Sequence, residues 1–290
     1  MFRHTLSALS LLLVSLLQTA IAAEPDFALI RTYAQLAHDT YLPAAELDIQ
    51  LNRQGQSLVH QAIIEASQVS YFLSTADGVQ TIAVRGTANL TNAMVDLDIE
   101  LQPDEQLGII LHNGFRSGAL AVANDVQPWL QPDQPIHITG HSLGGAIAVI
   151  LTMYLQQEGF SVEQVITFGQ PKVTNVTGAN RYADMPLTRV VTLKDMVPLV
   201  PPISPLQIKD LDIYWHLGEE IILLGDQQYS RTQGLKSMLR ATKFATSVPG
   251  EENLTAHRMT TYLTLIDGLL TTAEEVPYQM EINLFGLSLN

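Results

Sequence analysis

The chain has 290 residues and no cysteine, so it has room for a sizeable core but excludes a disulfide framework, a thiol nucleophile and any cysteine-ligated metal. Fifteen Lys and Arg against 29 Asp and Glu give a net charge of −14, which would repel a phosphate backbone and argues against a nucleic-acid partner. Hydrophobic residues make up 47% of the chain and charged ones only 15%, a balance suited to a filled interior rather than to disorder.

Met1 to Ala23 reads as a cleaved secretory signal peptide: Arg3, an apolar run from Ala8 to Leu17, then the small-residue site Ala20-Ile21-Ala22. That run is shorter than the roughly 20 apolar residues a spanning helix needs, and no later one is long enough, so no transmembrane segment is expected. Residues 24–290 are expected to form one exported domain, secreted or periplasmic. Export without cysteines points to a bacterial source.

Beyond the leader, strand-like and helix-like segments alternate, which predicts an α/β layered domain. Glu24 to Tyr41 carries Phe27, Ile30, Tyr33 and Leu36 at helical spacing, and Pro43 blocks its continuation. Tyr71–Leu73 and Thr81–Val84 flank Asp77-Gly78, a hairpin signal. Ile136–Thr139 is a short strand, Ala146–Leu155 an almost wholly apolar helix, and Gly159 its terminator. Val165–Phe168 and Val190–Leu193 are buried-type strands, Met259–Leu270 is a late apolar helix, and Glu281–Asn290 alternates as a strand does.

Where the strand at Ile136 meets the apolar helix stands Gly140-His141-Ser142-Leu143-Gly144, the G-x-S-x-G pattern of a nucleophile elbow. A sharp strand-to-helix turn lifts the serine above the sheet in a strained conformation, and only small residues two positions away let strand and helix pass closely. A serine at a helix N-terminus has partial positive charge beside it, where an oxyanion would develop.

A serine hydroxyl is a weak nucleophile and needs a base and a group to orient that base. In α/β-hydrolase chain order, the acid and then the histidine follow the serine. Asp195, just past the strand Val190–Leu193, is the candidate acid; Asp210, Asp212 and Asp226 lie in less defined loops. Only His216 and His257 follow it. His216 sits among Tyr214, Trp215 and Leu217 as a core residue would, whereas His257 follows a polar loop, Glu251–Thr255, so chain order and loop position favour His257. His38, His60, His112, His137 and His141 are expected to have structural or surface roles. None of the histidines has metal-ligand spacing, so no metal and no cofactor are inferred.

These residues resemble the class 3 lipases, the α/β-hydrolases that include the filamentous-fungal triacylglycerol lipases. The resemblance rests on Ala83-Val84-Arg85-Gly86-Thr87, Leu111-His112-Asn113-Gly114-Phe115, the elbow Gly140–Gly145, Thr167-Phe168-Gly169-Gln170-Pro171-Lys172-Val173, Asp195-Met196-Val197-Pro198 and Tyr214–Glu219, in that order between Thr81 and Tyr262. It implies an α/β-hydrolase fold with a mostly parallel sheet flanked by helices and a lid. It further implies Ser142 as nucleophile, Asp195 as acid, His257 as base, and an oxyanion hole from Thr87 and the Leu143 N–H. Two features depart from the family pattern: Asn92–Asp96 lacks its aromatic residue, and the gap from His257 to Tyr262 is longer than usual.

The lid candidate runs from Ala88 to about Gln106. Leu90, Met94 and Leu97 share a helical face, while Val95, Leu97, Ile99 and Leu101 alternate with Asp96, Asp98 and Glu100 as in a strand. The stretch reads equally as a half-buried segment with an acidic face or as a flap that bares apolar residues to a lipid–water interface. Leu101 stands where an EF-hand loop needs glycine, so the acidic spacing is not read as a calcium loop. The expected activity is hydrolysis of acylglycerol esters. A phospholipase or feruloyl-type esterase on the same triad, and a silent exported binding protein, are the alternatives.

Overall fold

The structure is a computed structural model that describes residues 24–65, 67–87, 100–201, 213–234, 237, 250–278, 282–284 and 287–289. The signal-peptide segment and the lid residues Leu90, Met94 and Leu97 lie outside the described residues.

Helix α1 (Phe27–Asp39) starts where the Asp26 carboxylate accepts the Leu29 N–H at 2.9 Å, and its predicted apolar stripe is buried. Helix α2 (Ala44–Arg53) follows Pro43. Strands β1 (Ser57–Ile64), β2 (Val69–Ala76) and β3 (Val79–Val84) form an antiparallel meander, with the expected turn at Asp77-Gly78, both at positive φ. Strands β4 (Leu101–Asp104) and β5 (Ile109–His112) pair antiparallel, so the described end of the lid stretch follows the alternating pattern rather than the helical one.

Next come helix α3 (Asn113–Val126), strand β6 (Ile136–His141), helix α4 (Leu143–Gln157) and strand β7 (Val162–Phe168). The short strand β8 (Thr174–Asn175), helix α5 (Val176–Arg181) and strand β9 (Leu187–Thr192) lead to β10 (Tyr214–Trp215), β11 (Glu219–Gly225) and β12 (Gln228–Thr232). Helices α6 (Glu251–Ala256) and α7 (Met259–Leu269) precede β13 (Glu274–Glu275) and a terminal hairpin, β14 (Ile282–Leu284) with β15 (Leu287–Leu289).

Nine strands form the main sheet in the order β1-β2-β3-β6-β7-β9-β11-β12-β13, in which β3, β6, β7, β9 and β11 run parallel. Alternation sends Tyr71, Leu73, Ile82, Val84 and Val165 to the face covered by α3 and α4; Phe72, Ala83, Ile166 and Phe168 go to the face covered by α1 and α7. Helix α4 is buried from Gly144 to Leu155 because it lies between the sheet and α3, which accounts for its apolar character all round. Among the described residues, no helix is long and apolar enough to cross a membrane.

One local expectation is corrected. Glu251–Thr255, read as a polar loop, is the body of α6. Two glutamates in its first turn suit the positive end of a helix, and Asn253 Oδ1 accepts the Gly250 N–H at 2.8 Å, so side-chain chemistry overrides the turn-like composition.

Candidate active site

Strand β6 ends at His141 and α4 begins at Leu143, which leaves Ser142 as the single hinge residue, at φ 57° and ψ −128°. A non-glycine residue there is strained, and its neighbours hold it. The Ser142 N–H donates to the Phe168 carbonyl at 2.8 Å, and its own carbonyl accepts the Gly145 N–H at 2.9 Å. The flanking glycines make this turn possible: a Cβ on Gly140 would lie 2.4 Å from the Gly144 carbonyl oxygen, and one on Gly144 would lie 2.2 Å from that of Val84. Thr87, half-buried, follows the end of β3 on that side.

Asp195 and His257 meet across 62 positions, with Nδ1–H donating to Oδ2 at 2.8 Å. Both side chains are buried. The other carboxylate oxygen, Oδ1, accepts the Val197 N–H at 2.9 Å, and the Tyr262 hydroxyl donates to Oδ2 at 2.5 Å. Burial disfavours the Asp195 anion, but the charge and hydrogen bond of His257, with those of Tyr262 and Val197, outweigh it and hold this carboxyl below its ordinary value. His257 Nε2 is buried and has no hydrogen-bond partner among the described residues. The His257 ring lies 4.5 Å, centre to centre, from that of His141, next in sequence to Ser142.

Further residues brace this pair. Gly169, at φ +60°, passes so close that a Cβ would lie 2.7 Å from His257 Cε1 and 2.8 Å from Asp195 Oδ2. Thr192 Oγ1 donates to the Ala256 carbonyl at 3.0 Å and Asn253 Nδ2 to that of Lys194 at 2.8 Å, which stitches α6 to the exit of β9. Lys172, fully buried, donates to the carbonyls of Leu199 at 2.5 Å and Pro201 at 2.8 Å; His216 donates through Nε2 to that of Pro198 at 2.6 Å. His216 thus holds the loop after the acid, the structural part read for it.

The structure brings Ser142 and the Asp195–His257 pair to one end of the parallel strands, at the exits of β6 and β9. The Ser142 to His257 hydrogen bond is not formed. Sequence reasoning missed Tyr262, Gly169, Lys172 and Thr192 as supports. The Gly at the end of strand β7 and the longer gap from His257 to Tyr262 were the available signals, but neither names its partner. Among the described residues, no group of three or more His, Asp or Glu could hold a metal ion.

Comparison with known proteins agrees with the motifs. A family model described as "Lipase (class 3)" matches residues 81–204. The lipase of Rhizopus niveus is 32% identical over 153 residues, which cover 48% of this chain and 39% of that protein. "Secreted mono- and diacylglycerol lipase 1" of Fusarium solani is 31% identical over 131 residues, 42% of this chain and 39% of that protein. The chain thus spans about two fifths of the length of these curated relatives. Among solved structures, lipase II from Rhizopus niveus aligns with a TM-score of 0.59 at 24% identity, covering 68% of this chain and 80% of that one. A mutant form of MDLA from Penicillium cyclopium aligns with a TM-score of 0.63 at 17% identity, covering 83% and 97%. These relatives are fungal and lend no support to the bacterial source expected from the cysteine count. The motif resemblance is borne out: residues 81–204 of this chain match the class 3 lipase family, on an α/β-hydrolase fold.

Proposed function

We propose that this chain is a serine carboxylic ester hydrolase, a lipase that cleaves acylglycerol esters through an acyl-enzyme on Ser142. The observation that carries the reading is the buried Asp195–His257 pair, whose Nε2 has no partner among the described residues and whose ring lies 4.5 Å from that of His141, the neighbour of the strained serine in a G-x-S-x-G elbow. Nδ1–H is committed to Asp195, so Nε2 is the lone-pair nitrogen a general base needs. In the reactive state Ser142 Oγ donates its proton to that nitrogen as it bonds to the ester carbonyl carbon. Negative charge then falls on the carbonyl oxygen, where Thr87 and the Leu143 N–H at the start of α4 stabilise it. Collapse breaks the carbon–oxygen bond of the ester, His257 gives its proton to the departing alcohol, and water repeats the sequence to release the acid. The cycle needs no metal and no cofactor.

The names of the relatives support a lipid ester as substrate: two are lipases of glycerol esters by name, and one structural neighbour is described as a triacylglycerol lipase whose catalytic centre is a serine-protease triad. The signal-like composition of Met1–Ala23 supports export, with residues 24–290 as one domain. Lid action at a lipid–water interface is assigned to the segment carrying Leu90, Met94 and Leu97.

The test is a panel of emulsified triglycerides, monoglycerides, phospholipids, feruloyl esters and soluble nitrophenyl esters, with Ser142→Ala as control. The reading expects glyceride hydrolysis that Ser142→Ala lowers by ~10⁴-fold or more at unchanged circular dichroism. Preference for phospholipid or feruloyl ester would reassign the substrate, and full activity in Ser142→Ala would overturn the mechanism.

A further inference from the structure

The ring of His141 is buried between two bonds that the proposed chemistry does not use. Its Nε2 lies 2.7 Å from the His257 carbonyl oxygen and its Nδ1 lies 2.8 Å from the Tyr41 hydroxyl. A carbonyl can only accept, so Nε2 carries the hydrogen. In the neutral ring Nδ1 is then the acceptor, and the Tyr41 hydroxyl must donate to it. That hydroxyl has spent its only hydrogen on His141, and Gly86 packs against its oxygen. Gly86 stands immediately before Thr87, and it is packed so closely that a Cβ there would lie 2.5 Å from the Tyr41 oxygen and 3.0 Å from Ser142 Cβ. A close contact at Gly86 and two hydrogen bonds therefore connect the loop holding Thr87, past the serine, to the main chain of the base.

We propose that Tyr41 and His141 are positioning residues that fix the backbone of His257 relative to the Gly86-Thr87 loop. The proposal rests on the functional reading above. His257 lies where α6 ends and α7 begins, a junction whose carbonyl would otherwise be free to tilt; the Nε2–H of His141 sets its direction, and so the height of the imidazole above Ser142. Every link points the same way, so each bond polarises the next. The relay holds one protonation state across mildly acidic and neutral pH. Burial, then the nearby His257, pushes His141 down to about 3, with Asp195 acting against the fall and His38 with it. Burial likewise pushes the Tyr41 phenol up to about 12, which keeps it a donor. The turn after α1 that carries Tyr41 is thereby part of the active-site wall, although 101 positions separate it from the serine.

The experiment measures kcat and KM on a soluble nitrophenyl ester, with melting temperature, for the intact protein and for Ser142→Ala, Tyr41→Phe, His141→Gln and His141→Leu. Tyr41→Phe removes one oxygen and leaves the ring against His141. It should lower kcat about 5- to 10-fold, with KM within about 2-fold and little change in melting temperature. His141→Leu removes both bonds and should cost about 100-fold in kcat, whereas His141→Gln restores an amide N–H near the position of Nε2–H and should recover most of that loss. If Ser142→Ala abolishes activity but Tyr41→Phe keeps full kcat, the relay is only structural and the proposal fails while the functional reading stands. Equal kcat in the Gln and Leu variants would also overturn it. An intact protein with no ester hydrolysis would remove the functional reading and this proposal with it. Should His141→Leu not fold, Tyr41→Phe decides alone.

Discussion

The two sides of the site are held by different physics. On the serine side, contact does the holding: Gly140, Gly144 and Gly86 each sit where a Cβ would overlap backbone or a side chain, and Ser142 keeps a disfavoured φ because strand β6 and helix α4 leave it no alternative. On the Asp195–His257 side, hydrogen bonds hold: Tyr262, Val197, Thr192, Asn253, Lys172 and His216 each secure the carboxylate, its loop or the helix that ends at the imidazole. Contact is all or nothing, whereas a hydrogen-bonded frame loses its precision one bond at a time. Substitutions on the first side should therefore disrupt the fold; on the second they should grade the activity.

The sharpest break on the contact side is Gly144→Ala. Its Cβ would lie 2.2 Å from a backbone oxygen that cannot swing aside, so strand or helix must move. An overpacking cost of about 3 kcal/mol or more, equivalent to roughly 10 °C in melting temperature, should accompany loss of activity. A stable, active Gly144→Ala would show that the elbow yields more than its packing suggests. On the other side, Asp195→Asn should fold yet lose about 10⁴-fold in kcat, because the amide cannot hold the imidazole in the tautomer with Nε2 free. Thr87→Ala should cost about 10²–10³-fold in kcat if it supplies one oxyanion donor, and little if it does not.

A smaller effect is expected of Tyr262→Phe, roughly 10-fold in kcat, since one of the bonds to the carboxylate is lost and the others stay. It also has a pH signature. Asp195 is depressed in the folded protein, so its ionised form contributes stability above the unfolded carboxylate range, and that contribution is lost as pH falls through the folded value. Removing the Tyr262 bond raises the folded value, so acid unfolding of Tyr262→Phe should begin at higher pH than in the parent. Identical acid transitions would show that the tyrosine does not stabilise the anion.

The same contrast explains what the sequence made legible. A steric requirement is local: Gly140, Ser142 and Gly144 appear within five residues, between a strand and a helix that their own periodicity announces. The hairpin at Asp77-Gly78, the stripe of α1 and the apolar α4 were legible for the same reason, because backbone conformation and one-sided burial leave a repeat. The frame around Asp195 is non-local. Tyr262 is 67 positions from the carboxylate it serves, and Tyr41 is 100 from His141, so no spacing rule links them. His257 was reachable because chain order left two histidines and His216 stood in a core-like setting. His141 was set aside as structural because its partners, a tyrosine near the N-terminus and a main-chain carbonyl near the C-terminus, carry no mark in the sequence. Helix α6 was misread because its helical features, an acidic first turn and the Asn253 cap, arise from polar residues that composition alone assigns to a loop.

The central claim is that Ser142 is an activated nucleophile served by His257, and covalent trapping tests it most directly. The protein would be treated with a fluorophosphonate and the modified peptide located by mass spectrometry, alongside a His257→Ala variant. The account predicts one adduct per chain, on Ser142, formed at least about 100-fold more slowly without the imidazole. A chain that does not label, labels elsewhere, or labels Ser142 equally fast in His257→Ala would contradict it.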